Sequence, residues 1–133
     1  MDRPNLRIGL LLAIPLLLSA CADTMTGELM GTRAPAKHVR GMWTGASGMT
    51  LYTFDKDVAD SGISSCNDAC ASNWPPFLVR AQDQAGGQWT IITRKDGKRQ
   101  WAYLGKPLYY WSKDQKAGDA TGDGINQVWH IAR

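Results

Sequence analysis

The chain has 133 residues, of which 44% are hydrophobic and 20% charged, with a formal net charge of +3. That length suits one domain, not two. The near-neutral charge, with no Lys/Arg-rich block and no nucleic-acid motif, argues against a nucleic-acid partner.

Arg3 and Arg7 stand at the head of an apolar run of 11 residues, Ile8 to Leu18. A membrane-spanning helix needs ~20 apolar residues, so this run reads as the apolar region of an export signal. Leu18-Ser19-Ala20-Cys21 follows. It resembles the bacterial lipobox, in which the cysteine is lipidated and becomes the first mature residue. An ordinary signal peptide cleaved near a cysteine is the alternative. On the lipobox reading, residues 1–20 are a lipoprotein signal peptide and Cys21 is the contact with membrane lipid. Each buried methylene contributes about 0.8 kcal/mol, so several acyl chains hold where one is marginal. Ala22, not Asp, follows the cysteine. By analogy with enterobacterial sorting, that points to the periplasmic face of the outer membrane in a host that has one. Removing Asp2, Arg3 and Arg7 with the leader takes the net charge from +3 to +2.

Residues 21–37 contain no aromatic residue and no sustained period, and are expected to form the lipidated cysteine and a flexible tether. Every Trp, Tyr and Phe lies in residues 38–133. So small a domain struggles to bury enough apolar area, and large rings supply most per residue, so the rings read first as core. Val39 to Thr44 and Thr50 to Phe54 are short and rich in strand formers, separated by the turn-like GASGM. Ser65 is placed as the cap of one short helix over CNDACASNW, which Pro75-Pro76 stops. Gln88 to Arg94 and Arg99 to Leu104 flank Lys95-Asp96-Gly97-Lys98, the strongest hairpin signal in the chain. Pro107 to Trp111 and Gln127 to Ile131 complete the strands. The expected fold is mainly β: a small antiparallel domain with one short helix around Cys66–Cys70.

GMTLYTFDKD (residues 48–57) returns as GKPLYYWSKD (105–114). Gly, Leu, Tyr, Lys and Asp recur in register, and Phe54 and Trp111 are both aromatic. Self-similarity of this kind predicts two copies of one structural unit, with repeat cores at 48–77 and 105–131. Tyr52 and Phe54 lie two apart, so they share one face of a strand, as do Tyr109 and Trp111. Asp57 and Asp114 sit three residues past the aromatic, where a carboxylate accepts backbone N–H groups and closes a turn. The tails also match, Trp74-Pro75-Pro76-Phe77 against Trp129-His130-Ile131. Two half-domains about a pseudo-twofold axis are expected, their aromatic faces meeting in one core.

The doubled Y-x-[FWY]-x-x-D pattern resembles the bacterial secreted-repeat predicted lipoproteins named for that motif. The resemblance runs through the Cys66/Cys70 segment, Trp74-Pro75-Pro76, Gly118-Asp119, Gly122-Asp123-Gly124 and Trp129-His130. It implies an exported, membrane-tethered repeat domain of unassigned activity, with no catalytic residues to carry over.

Cys66 and Cys70 are the chemically most suggestive pair. Four helical residues rise about 6 Å, within disulfide range, and an oxidising compartment favours the bond. A thiol-redox or copper site is the alternative. Two soft thiolates at this spacing suit Cu(I), and C-x-x-x-C with a distant His is similar to the copper chaperones of cytochrome oxidase assembly. His38, His130, Met42 and Met49 are the residues that would complete such a site. Those chaperones carry βαβ units that are not legible here. Asp119, Asp123 and Asn126 suggest calcium but do not follow the calcium-loop spacing. No hydrolase constellation is present. Tyr109-Tyr110-Trp111 cannot all face one side of a strand, and Tyr110 is the ring expected to point away from the main core, with burial beneath a loop as the first reading and contact with a ligand as the alternative. The resulting expectation is a non-enzymatic binding or scaffolding domain. Its partner would be an envelope protein or small ligand, with no cofactor and no metal.

Overall fold

The computed structural model describes residues 33–133 together with Gly9. The expected signal peptide, Cys21 and most of the expected tether lie outside the described residues. The fold begins earlier than expected, because Ala36 is already buried in the core and Lys37 opens the first strand.

Seven short strands form three small antiparallel sheets. β1 (Lys37–Val39) pairs with β2 (Met42–Thr44), and β3 (Tyr52–Phe54) pairs with β7 (Trp129–Ile131). β4 (Trp89–Thr93), β5 (Arg99–Tyr103) and β6 (Lys106–Pro107) make the third sheet. The expected single strand over Val39–Thr44 is a hairpin. Arg40 and Gly41 both take positive φ, 50° and 79°, as a tight two-residue turn between twisted strands requires. The Asp-Gly turn joins β4 to β5 as expected, and Trp89–Thr93 aligns with Arg99–Tyr103 residue for residue.

The helix is shorter than expected. α1 covers only Ala69–Asn73, because Asp68 has φ +52° and cannot continue a right-handed helix. Ser65 is therefore not its cap, and Cys66 precedes the helix instead of sharing its face with Cys70.

The repeats interlock at the centre. Tyr52 and Tyr109 exchange both backbone hydrogen bonds, 2.8 and 3.0 Å. Around that pair the connections are reciprocal. Trp43 donates to Ala132, Ala132 to Leu51 and Leu51 to Trp43, each at 2.9 Å. Trp101 donates to Phe77 (2.9 Å), Phe77 to Leu108 (2.9 Å) and Leu108 to Trp101 (3.0 Å). Each repeat thus lends its tail, Phe77 or Ala132, to the other repeat's strands.

Strand alternation then divides the interior into two clusters, where one was expected. Leu51 and Leu108 point into one with Ala36, Phe77, Trp89, Trp101 and Ala132. Tyr52 and Tyr109 point into the other with Cys66, Trp74 and Trp129. Fully burying a large apolar side chain stabilises by about 1.5–3 kcal/mol, which is why twelve rings suffice for so short a domain.

Candidate functional site

The repeat motif builds a crossed polar network. Tyr52 Oη donates to Asp114 Oδ2 at 2.6 Å, and Tyr109 Oη donates to Asp57 Oδ2 at 2.6 Å. The tyrosine of each repeat is held by the aspartate of the other. The turn-closing role expected of the carboxylates is also present. Asp57 Oδ1 accepts the Ser65 N–H (2.6 Å), and Asp114 Oδ1 accepts the N–H (2.9 Å) and hydroxyl (2.6 Å) of Thr121. All four side chains are buried. Burial, reinforced by the aspartate, pushes both phenols far above their ordinary range. Burial also raises Asp57, against the hydrogen bonds from Tyr109 and Ser65 that favour its charge. These groups are saturated by one another, so the arrangement holds a shape.

The aromatic members of the motif continue this symmetry. Phe54, Trp129, Trp74 and Trp111 stack in one column. Successive centroids lie 4.2, 3.8 and 4.1 Å apart, with interplanar angles of 11°, 4° and 28°. Tyr52 meets Trp74 edge-on at 5.4 Å, and Tyr109 meets Trp129 at 5.2 Å. Gly122 runs against this column, and a Cβ there would lie 2.8 Å from Trp74.

Cys66 and Cys70 form a disulfide, with Cα atoms 5.2 Å apart. Cys66 is fully buried in the tyrosine cluster. In this form the pair offers no thiolate to a metal or a redox partner. Above it lies Arg94, a residue that the sequence reading did not single out. Its Nη1 donates to Gln100 Oε1 (2.7 Å) and Ser64 Oγ (2.9 Å), and its Nη2 to the Cys66 carbonyl (2.6 Å). Ser64 Oγ sits 2.7 Å from Tyr109 Oη, so the guanidinium ties the disulfide loop to the motif. Ile92 and Arg94 are two apart and both buried, on one face of the chain there.

The other singled-out residues do not converge. His130 Nε2 lies 2.7 Å from Asp55 on the surface, whereas His38 packs edge-on against Trp43, ring centroids 4.9 Å apart. No group of three His, Cys, Asp or Glu side chains suited to a metal occurs among the described residues. Asp119 accepts the N–H groups of Gln115 (2.9 Å) and Lys116 (3.1 Å), which hold its carboxyl below the usual range. Asp123 accepts the Ile131 N–H at 3.0 Å. Both act as turn acceptors. Tyr110 is half-buried: its ring meets Phe77 edge-on and its hydroxyl accepts the Ala46 N–H at 3.1 Å.

Tyr110 thereby props one wall of a cleft of about 840 Å³. The first described residues, Arg33 to Lys37, line it together with the Thr44–Gly48 turn and the Phe77–Arg80 segment. Gly45 has to be glycine, because a Cβ would collide with the Tyr110 hydroxyl. Trp101 also lines the cleft, and its buried Nε1 has no hydrogen-bond partner. The lining contains no histidine and no cysteine.

A duplicated β unit, cross-linked by its own motif residues and closed by a disulfide, defines a two-repeat structural domain. The chain belongs to the family described as a secreted repeat of unknown function, whose family model matches residues 41–77 and 90–133, more than half of the sequence. No curated protein and no solved structure matches it.

Proposed function

We propose that this protein is a lipid-anchored, non-enzymatic binding domain of the bacterial cell envelope. One observation carries the choice of binding over chemistry. The motif's titratable groups are buried and spent on each other, whereas the open cleft presents cations and apolar surface without a nucleophile–base pair. Membership of a secreted-repeat family supports export. The Leu18-Ser19-Ala20-Cys21 stretch supports anchoring through Cys21, with the outer membrane as the destination in a host that has one.

The test is metabolic labelling with a fatty acid, followed by fractionation. Wild-type protein carries the label and sediments with membranes, and Cys21→Ser carries none and is found in the soluble fraction. Equal membrane sedimentation without label in both proteins would remove the lipid anchor. Turnover of any substrate, abolished in a folded Asp57→Asn or Asp114→Asn protein, would overturn the non-enzymatic reading.

A further inference from the structure

We propose that the cleft face docks on an anionic phospholipid surface, taking the headgroup phosphate between Arg33, Lys37 and Arg80. The inference rests on the anchored reading above and names the partner of that same cleft.

Charge is the first argument. The three cations line one cleft and make no ion pair among the described residues. The acid among them, Asp83, is engaged at 3.0 Å by the backbone N–H of Arg80. Arg40, at the tip of the adjoining hairpin, is exposed as well. Apolar surface is the second. Among the described residues five large hydrophobic side chains are exposed, and two of them, Val39 (44%) and Leu78 (42%), lie in this same lining. Cations beside exposed aliphatic groups match a bilayer interface, where phosphates lie above acyl chains.

Position is the third argument. The chain enters the domain at Arg33, a dozen residues after Cys21. Even fully extended, that segment spans no more than about 40 Å. With Cys21 held in the bilayer, the cleft edge formed by Arg33 to Lys37 is therefore always within reach of the membrane surface.

Vesicle sedimentation tests this without an acyl anchor. The mature chain, residues 21–133 with Cys21→Ser, keeps every core side chain, since both clusters lie within residues 36–132. It is mixed with vesicles of phosphatidylcholine alone or with phosphatidylglycerol added. The expected result is sedimentation with the anionic vesicles only, declining as salt rises. Each surface cation near an anionic membrane contributes about fivefold in affinity. Arg33→Glu/Lys37→Glu/Arg80→Glu therefore loses at least about a hundredfold, the loss expected from removing the three cations alone. The control reversal Lys95→Glu/Lys98→Glu/Lys113→Glu, at exposed sites that do not line the cleft, loses far less. Near-ultraviolet circular dichroism of the tryptophan column confirms that each variant is folded. Equal losses in the two triple variants would overturn the proposal, as would absence of sedimentation with anionic vesicles. Because the protein is unacylated, a failure here leaves the Cys21 labelling result intact, and the two readings fall separately.

Discussion

The two repeats bury the same side chains and secure them by different means. In the first, the loop after Asp57 is closed by the Cys66–Cys70 disulfide and by Arg94, whose guanidinium reaches Ser64 and the Cys66 carbonyl. In the second, the loop after Asp114 has no covalent closure. Thr121 gives Asp114 two hydrogen bonds, and Gly122 lets the backbone lie against Trp74 and Trp111 while its N–H meets Tyr52 Oη at 3.2 Å. The shared task is to hold an acceptor over the other repeat's tyrosine. The difference shows that the Tyr–Asp exchange is the fixed part of the unit, and the loop chemistry around it is interchangeable.

Substitutions at the shared positions ought to cost the same in both halves. Trp74 and Trp129 occupy equivalent places, each stacked on two rings and met edge-on by a tyrosine. Trp74→Ala and Trp129→Ala are each expected to destabilise by about 3–5 kcal/mol, the range for large aromatic truncations in a core. Urea denaturation measures the loss, and the near-ultraviolet dichroism of the column should collapse in both. A Trp129→Ala protein that retained nearly all its stability would show that the halves are not energetically equivalent.

Substitutions at the unshared positions ought to separate the halves. Cys66→Ser/Cys70→Ser removes a cross-link around a five-residue loop, for which the chain-entropy model gives about 2 kcal/mol. The effect should be local. Hydrogen exchange should quicken in the segment 58–73 and remain unchanged in 115–127, which the disulfide does not touch. Equal quickening in both segments would mean that the bond supports the whole domain.

Local features were legible in the sequence, and long-range ones were not. The Asp-Gly hairpin, the strands around it, the repeat and the turn-closing role of the aspartates all depend on neighbours within a few residues. The disulfide was legible because four residues of separation and an exported chain leave few other fates for the pair. The hairpin at Arg40-Gly41 was missed because Val39 to Thr44 is rich in strand formers throughout, and no Asn or Asp precedes the glycine. The helix began late because Asp68 takes a left-handed φ, which no local propensity announces. The crossing of tyrosine to the other repeat's aspartate spans 52 and 62 residues, and the inward guanidinium of Arg94 reaches back 28 to 30. Neither leaves a short-range trace. The cleft is likewise assembled from segments far apart in the chain, so no motif marks it.

The smallest effect is a pH dependence carried by Asp57. Burial raises Asp57 above the usual carboxylate range in the folded protein. The folded state therefore binds more protons than the unfolded chain between the two pKa values, and this group's contribution to stability falls as pH rises through that window. Ionisation thus lowers the contribution of Asp57, and acidification through its folded pKa restores it. Asp57→Asn removes the titration, retains an oxygen for the Ser65 N–H, and leaves Tyr109 with Ser64 Oγ as a partner. Its cost at neutral pH is expected to be below about 1 kcal/mol, less than an ordinary lost hydrogen bond. Asp114→Asn is expected to cost about 1–3 kcal/mol, because its single amide oxygen cannot accept from both Thr121 and Tyr52, and the buried Tyr52 hydroxyl, already taking the Gly122 N–H, has no other acceptor. Denaturation midpoints from acid to neutral pH measure both. The gap between wild type and Asp57→Asn should narrow toward neutral pH. A gap that widened instead would mean that Asp57 is stabilised in its charged form, and that the hydrogen bonds from Tyr109 and Ser65, with Arg94, outweigh its burial.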